Sequence, residues 1–331
     1  MCATETCSYQ ELIARYFVLA SIINSYGFYL KYLCQNGLNQ NAFLSRQVGE
    51  AGLGPQLFCS PRPGIIVMEA VLGGKFEDNF GPDGLGGDDA RTLGELLRDL
   101  HRLNTRAVEM AARKTRQLLE ANMEKCGVTE ENLEHIWKTR GGYGMLLLWW
   151  WGVAFPDWLK KHHPSHFPLL REEYNLRVMT LIKRVLRLKP KTKSLASLCF
   201  SHADLWSGNL LRKDNTIVAI DFETATTAPA YVDLGGLLFN WDVHFDGKPD
   251  CPDKGRREAL ASSYLGATLL GEELDRALFD LEIGFIHRYI FVLLGKHLDV
   301  NDDNLEELDL VRKGERMVSE LERGSFIGEY N

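Results

Sequence analysis

The residues best suited to chemistry in this chain are Asp204, Asn209 five positions later, and Asp221 twelve beyond that. They sit in His202-Ala203-Asp204-Leu205-Trp206-Ser207-Gly208-Asn209 and in Ile220-Asp221-Phe222-Glu223. Between them, Leu210-Leu211, the polar Arg212-Lys213-Asp214-Asn215 and Thr216-Ile217-Val218-Ala219-Ile220 read as a β-hairpin. A hairpin of that length returns the chain to its start and sets Asp221 beside the Asp204 loop. One carboxylate can then take a proton from a hydroxyl, while an amide oxygen and a second carboxylate hold Mg²⁺. That division of labour serves phosphoryl transfer. An isolated Asp and Asn would be an ordinary turn; the hairpin between the two loops is what lifts the pattern above that.

The elements that must position these loops can be read in outline. Residues 8–24 have one apolar helical face, Tyr26 to Leu33 reads as an aromatic strand, and Ala42 to Ala51 reads as a helix ended by Gly52-Leu53-Gly54-Pro55. Gln56 to Cys59 and Ile65 to Val71 read as two strands around Arg62-Pro63-Gly64. The Gly-rich stretch from Gly73 to Asp89 is the best boundary. It divides a strand-rich part, 1–72, from a larger part, 73–331. Leu93, Leu96, Leu97, Leu100 and Leu103 then recur at helical spacing over Thr92 to Leu103, and further helices are predicted over 107–125, 130–150, 168–188, 256–270, 273–297 and 304–322.

Bulk properties exclude several classes. A formal net charge of −7 and a pI near 5.8 argue against a broad nucleic-acid surface. The seven cysteines are scattered and form no Cys-x-x-Cys pair, which disfavours a disulfide framework or a zinc site and suits a reducing cytoplasm. The most apolar run, Met145 to Phe155, falls short of the roughly 20 residues a membrane span needs. Phe17 to Ile23 is preceded by no basic region beyond Arg15, so a secretory leader has only weak support. Trp149-Trp150-Trp151 reads as helix core, His162 to His166 as a surface loop, and the basic stretch Lys183 to Lys193 as a solvated helix end.

On these motifs the chain resembles the superfamily of aminoglycoside phosphotransferases and choline/ethanolamine kinases. The match is firmest from His202 to Trp241, where IDFETATTAPAYVDLGGLLFNW is similar to the choline kinase pattern and the wording around Trp206 is similar to fructosamine-type kinases. Weaker similarities lie at Leu53-Gly54-Pro55, at 66–74 and at 96–101. The resemblance implies an α+β, bilobal protein-kinase-like fold: a small strand-rich N-lobe and a larger helical C-lobe carrying the catalytic β-hairpin. It implies ATP and Mg²⁺ as cofactors. Asp204 is the expected general base or orienter of the acceptor hydroxyl, and Asn209 and Asp221 the expected metal ligands, with Glu223 joining them. His202 and Asp233 are expected to brace the loop. Lys31 would contact the α/β-phosphates, and Met68, Glu69 and Ala70 would meet the adenine edge. Trp206, Asn240 and Trp241 would join Asp204 at the acceptor, with Phe239, Tyr289 and Phe291 as parts of a partial aromatic cage.

The departures from the family pattern carry information too. Ala203 replaces the Arg of the protein-kinase H-R-D and Glu223 the Gly of D-F-G, which turns the expectation toward small molecules. Only Gly27 stands where a Gly-rich phosphate loop should precede Lys31, so the N-lobe reads as incomplete or degenerate. Asn41 stands where a Glu should pair with that lysine, and Glu50 lies about two and a half helical turns further on. Thr224 and Asn240 replace a Tyr and a Glu of the choline site. The leading expectation is a kinase of a small hydroxylated acceptor, with amino alcohols such as choline and ethanolamine first, working in phospholipid biosynthesis. A homo-oligomer is compatible with this; nucleic acid and a transmembrane segment are not expected. Two alternatives stay open: a pseudokinase that binds or regulates, and a kinase of a sugar- or aminoglycoside-like acceptor.

Overall fold

The computed structural model describes residues 43–62, 65–71, 87–162, 164–165, 167–169, 174–214, 216–244, 254–297 and 306–324. Lys31, Asn41, the expected N-terminal helix and strand, and most of the Gly-rich boundary lie outside the described residues. Residues 43–50 form a helix, α1, that buries Leu44 and Val48. It leads into an antiparallel pair, β1 (Leu57–Arg62) and β2 (Ile65–Met68). β1 runs on to Arg62, beyond the Cys59 expected for it, and β2 ends at Met68, short of Val71.

The next helices follow their apolar spacing. α2 (Gly87–Leu100) opens on Asp88 and Asp89, which suit a helix N-terminus, and buries Leu93, Leu96, Leu97 and Leu100. α3 (Arg106–Glu120) precedes α4 (Glu130–Trp149), whose Thr129 side chain accepts the Asn132 N–H as an N-cap. The sequence suggests one regular helix over 130–150. The structure instead breaks it at Gly141 (φ 61°, ψ −151°), where a Cβ would lie 2.5 Å from the Thr227 carbonyl oxygen. The chain then runs through a π-helical turn, Trp150–Ala154, into α5 (Phe155–His162). Trp149, Trp150 and Trp151 are buried in the core. α6 (Leu176–Arg187) follows, with six buried apolar residues on one face.

Two short ladders frame the loops that carry the chemistry. β3 (Leu198–Ser201) pairs antiparallel with β6 (Thr226–Pro229), in register from Leu198 opposite Pro229 to Ser201 opposite Thr226. β4 (Leu210–Lys213) pairs with β5 (Thr216–Ala219), from Leu210 opposite Ala219 to Lys213 opposite Thr216. The predicted hairpin is therefore present. Segments 202–209 and 220–225 run between the two ladders and are pinned at both ends. The Ala219 N–H also donates to the Leu53 carbonyl, at 2.9 Å, which docks the turn after α1 against β5.

α7 (Tyr231–His244), α8 (Lys254–Leu265), α9 (Gly271–His297) and α10 (Glu306–Arg323) complete the order. α8 stops at Gly266, whose φ of +70° favours glycine, short of the 270 that periodicity suggests. α7 and α9 cross at backbone distance. A Cβ on Gly284 would sit 1.8 Å from the Tyr231 carbonyl oxygen, and one on Gly235 would sit 2.3 Å from backbone atoms of Gly284 and Phe285. No described helix is long and apolar enough to cross a membrane.

Because nothing at that crossing can yield except the two backbones, Gly284→Ala should force the helices apart. We expect a loss of about 1–3 kcal/mol, at the upper end of overpacking costs, read as a lower urea midpoint with an unchanged slope. An unchanged midpoint would contradict the close crossing.

Candidate active site

The Asp204 loop is built on a buried carboxylate. Asp233, in the first turn of α7, is 1% exposed. Its two oxygens accept the backbone N–H groups of His202 and Ala203, each at 2.8 Å. His101, at the end of α2, faces the same carboxylate through Nε2 at 3.0 Å, and its Nδ1 lies 3.0 Å from the Tyr264 hydroxyl. Burial works against the charge on Asp233, but the hydrogen bond and charge of His101, together with His202, hold its carboxyl below the usual range. For His101 burial likewise opposes the charged form. Cys199 and the Asp233 carboxylate outweigh it and raise the imidazole well above its ordinary value.

This tether holds the chain in a conformation it would otherwise avoid. Ala203 has φ +64° and Asp221 φ +66°, left-handed values rare for residues with a side chain. His202 is fully buried, donates from Nε2 to the Ile220 carbonyl at 2.7 Å, and packs its ring 4.8 Å from that of Phe222. The Thr224 hydroxyl donates to the His202 carbonyl at 3.0 Å. These contacts lash the Asp204 segment to the Asp221 segment. His202 and Asp233 thus sit where bracing was expected of them.

The chemical groups then fall into place. The Asn209 side chain donates from Nδ2 to the Asp204 carbonyl at 2.9 Å, so its amide oxygen is left to act as a ligand. The Asp221 side chain opens to solvent, yet protein on its flanks displaces enough water to raise its carboxyl; His202 pulls it down and the Asp204 charge pushes it up. Glu223 is half-buried and pushed up to about 8 by desolvation, with the charges of Asp221 and Asp204 adding to the shift. Crowded carboxylates beside an amide oxygen form a hard-oxygen donor set that fits Mg²⁺. No group of three or more His, Cys, Asp or Glu poised for a metal exists among the described residues. Mg²⁺ needs no such cage, since it takes one or two carboxylates plus substrate phosphates and water.

Asp204 itself carries a partner that sequence reasoning missed. Arg288, on α9, donates from a terminal nitrogen to the Asp204 carboxylate. Its guanidinium also lies 5.1 Å from the centroid of the Phe291 ring. The available signal was a lone arginine within the apolar run from Ile283 to Gly295, which needs a partner if it is buried. His101 was visible only as the end of Leu-Leu-Arg-Asp-Leu-His.

The residues expected at the acceptor lie in different surroundings. Asn240 is 2% exposed and donates its amide to the Leu205 and Gly236 carbonyls, at 3.3 and 3.0 Å, so it braces the loop from beneath. Trp241, Phe239 and Tyr289 are 1%, 3% and 7% exposed and belong to the core. Trp206 is half-buried, with its indole against Gly208. In the expected hinge, the Glu69 N–H donates to the Gln56 carbonyl at 2.8 Å and its carboxylate pairs with Lys213 at 2.7 Å. Glu69 can therefore offer adenine only its carbonyl; an N–H would have to come from Ala70 or Val71.

The tether has a definite pH signature. Asp233, held low, stabilises the fold above the unfolded value near ~4, and that stability is lost as pH falls through its folded value. His101, held high, stabilises fully below about 6.5, and its contribution is lost as pH rises through its folded value. His101→Gln should cost about 3–5 kcal/mol at about pH 6 by breaking a buried pair, and the gap to wild type should narrow by about pH 10. Urea unfolding at both pH values measures this; an equal gap at both would contradict the ion pair.

Comparison with known proteins adds the family. The model described as "Phosphotransferase enzyme family" (APH) matches residues 47–259. Among solved structures, the chain is similar to an ethanolamine kinase from Plasmodium vivax, with a TM-score of 0.51 and 16% identity, covering 86% of this chain and 73% of that one. It is also similar to an amicoumacin kinase bound to AMP-PNP and Ca²⁺ (TM-score 0.49, 16% identity, 88% and 79% covered). A third is a choline kinase from Cryptosporidium parvum (TM-score 0.47, 14% identity, 86% and 78% covered). No curated protein sequence matches the chain. The first of these structures establishes the protein-kinase-like α+β fold, and by the match over 47–259 this chain belongs to the phosphotransferase enzyme family.

Proposed function

We propose that this protein transfers the γ-phosphoryl group of ATP to a hydroxyl of a small molecule. The observation that carries the reading is the pair of ladders, β3–β6 and β4–β5, between which Asp204, Asn209 and Asp221 lie on neighbouring loops. The acceptor oxygen attacks the γ-phosphorus in line. The bond from that phosphorus to the β–γ bridging oxygen breaks, ADP leaves, and Asp204 takes the hydroxyl proton. Mg²⁺ held by Asn209 and Asp221, with Glu223, would neutralise charge on the phosphates. Residues 1–72 would serve nucleotide binding, with Lys31 at the α/β-phosphates and the backbone of Met68 to Ala70 at the adenine. Residues 73–331 would carry the catalytic, metal and acceptor groups. The half-buried Trp206 beside Asp204 is a candidate acceptor contact. Amino alcohols and sugar- or aminoglycoside-like compounds are the acceptor classes to compare first.

A second reading, a nucleotide-binding protein without turnover, is favoured by one observation: the proposed base is already paired with Arg288. Release of ADP separates the two. Asp204→Asn should lower turnover by about 10²–10⁴-fold, the usual worth of a positioned acid–base group, and should keep the thermal shift given by MgATP. Wild-type turnover in that variant would remove Asp204 from the mechanism. A thermal shift without turnover in the wild type would favour the binding protein.

A further inference from the structure

We infer that Arg288 makes this site select an acceptor that carries a carboxylate beside the hydroxyl to be phosphorylated: a hydroxy acid rather than an amino alcohol. The inference rests on the phosphotransferase reading and narrows its acceptor. Arg288 is the deeper partner of its ion pair, with a side chain 11% exposed against 26% for Asp204. One terminal nitrogen serves the Asp204 carboxylate, while Nε is buried with no hydrogen-bond partner among the described residues. A guanidinium has five N–H donors in a planar fork. Among the described residues, the buried Nε donor is unspent.

The reaction changes the balance at this pair. When Asp204 takes the proton of an acceptor hydroxyl, its carboxylate becomes neutral. The guanidinium is then a largely buried cation deprived of its counter-charge, which is a costly state. An acceptor that brings its own carboxylate restores the pairing, and the arginine fork matches that group in a bidentate way. A cationic acceptor makes the balance worse, because two positive charges would share one site.

The surrounding rings agree. A quaternary ammonium needs open aromatic faces. Trp241, Phe239 and Tyr289 are buried in the core, and the Phe291 ring already faces the Arg288 guanidinium. These rings, on α7 and α9, are therefore not free to cage a cation, while α9 supplies an anion-binding group.

The test is a coupled ADP-release assay on the whole chain with MgATP and three acceptor series: glycolate and glycerate, ethylene glycol and glycerol, ethanolamine and choline. We expect kcat/KM for the hydroxy acids to exceed that for the amino alcohols by at least about tenfold, since specificity is a difference between two binding free energies. Arg288→Met should erase that preference, chiefly through KM, and Arg288→Lys should keep its direction. A thermal shift with MgATP reports that each variant is folded. If Arg288→Met does not fold, the wild-type preference and the Lys variant decide. Amino alcohols used as well as hydroxy acids, or a preference untouched in Arg288→Met, would overturn the inference and leave the phosphotransferase reading standing. A folded, MgATP-binding wild type that releases no ADP with any series would overturn both.

Discussion

The arrangement of this molecule depends on one buried carboxylate. Asp233 accepts the N–H groups of His202 and Ala203 while facing His101. A carboxylate without water is expensive unless its oxygens are filled and its charge is answered. Here two backbone donors fill them and a histidine held well above its ordinary proton affinity answers the charge. The return on that cost is a backbone turn at Ala203 that an alanine would not adopt alone. The turn aims Asp204 outward from the end of β3, between two ladders that leave the neighbouring loops little freedom.

The helices serve that turn. α7 carries Asp233 at its start and Asn240 near its end, and both hold the Asp204 loop through backbone groups. α9 carries Arg288, which reaches the Asp204 side chain itself. The two helices meet at Gly235 and Gly284 with no side chain between them. Such a crossing has almost no slack, because packed interiors transmit small volume changes. The separation between the group that orients the loop and the group that pairs with its carboxylate is thus set by backbone contact rather than by adjustable side chains.

Much of this was legible in the sequence, and the rest was hidden for physical reasons. The hairpin and its flanking loops could be read because alternation, a polar turn and fixed spacing are local signals. Helix ends were less legible. The break at Gly141 answers to Thr227 across the fold, and the stop at Gly266 is a matter of left-handed backbone. Asn240 and Trp241 were assigned to the acceptor by their place in a motif, yet burial turns them toward the loop and the core. Arg288 escaped notice because its partner is 84 positions away in sequence. Its burial and its pairing belong to the tertiary structure alone. Lys31, which the family resemblance singled out, lies outside the described residues.

The central claim is that the loops of Asp204, Asn209 and Asp221 move a phosphoryl group onto a hydroxyl. Phosphorus-31 NMR of the protein with MgATP and a mixed pool of small hydroxylated acceptors tests this most directly, because it follows the phosphorus atom itself. The account predicts that the γ-phosphate resonance of ATP declines as a phosphomonoester resonance grows, one for one with ADP. An ATP spectrum that stays unchanged, or one in which ADP forms with inorganic phosphate and no ester, would contradict it.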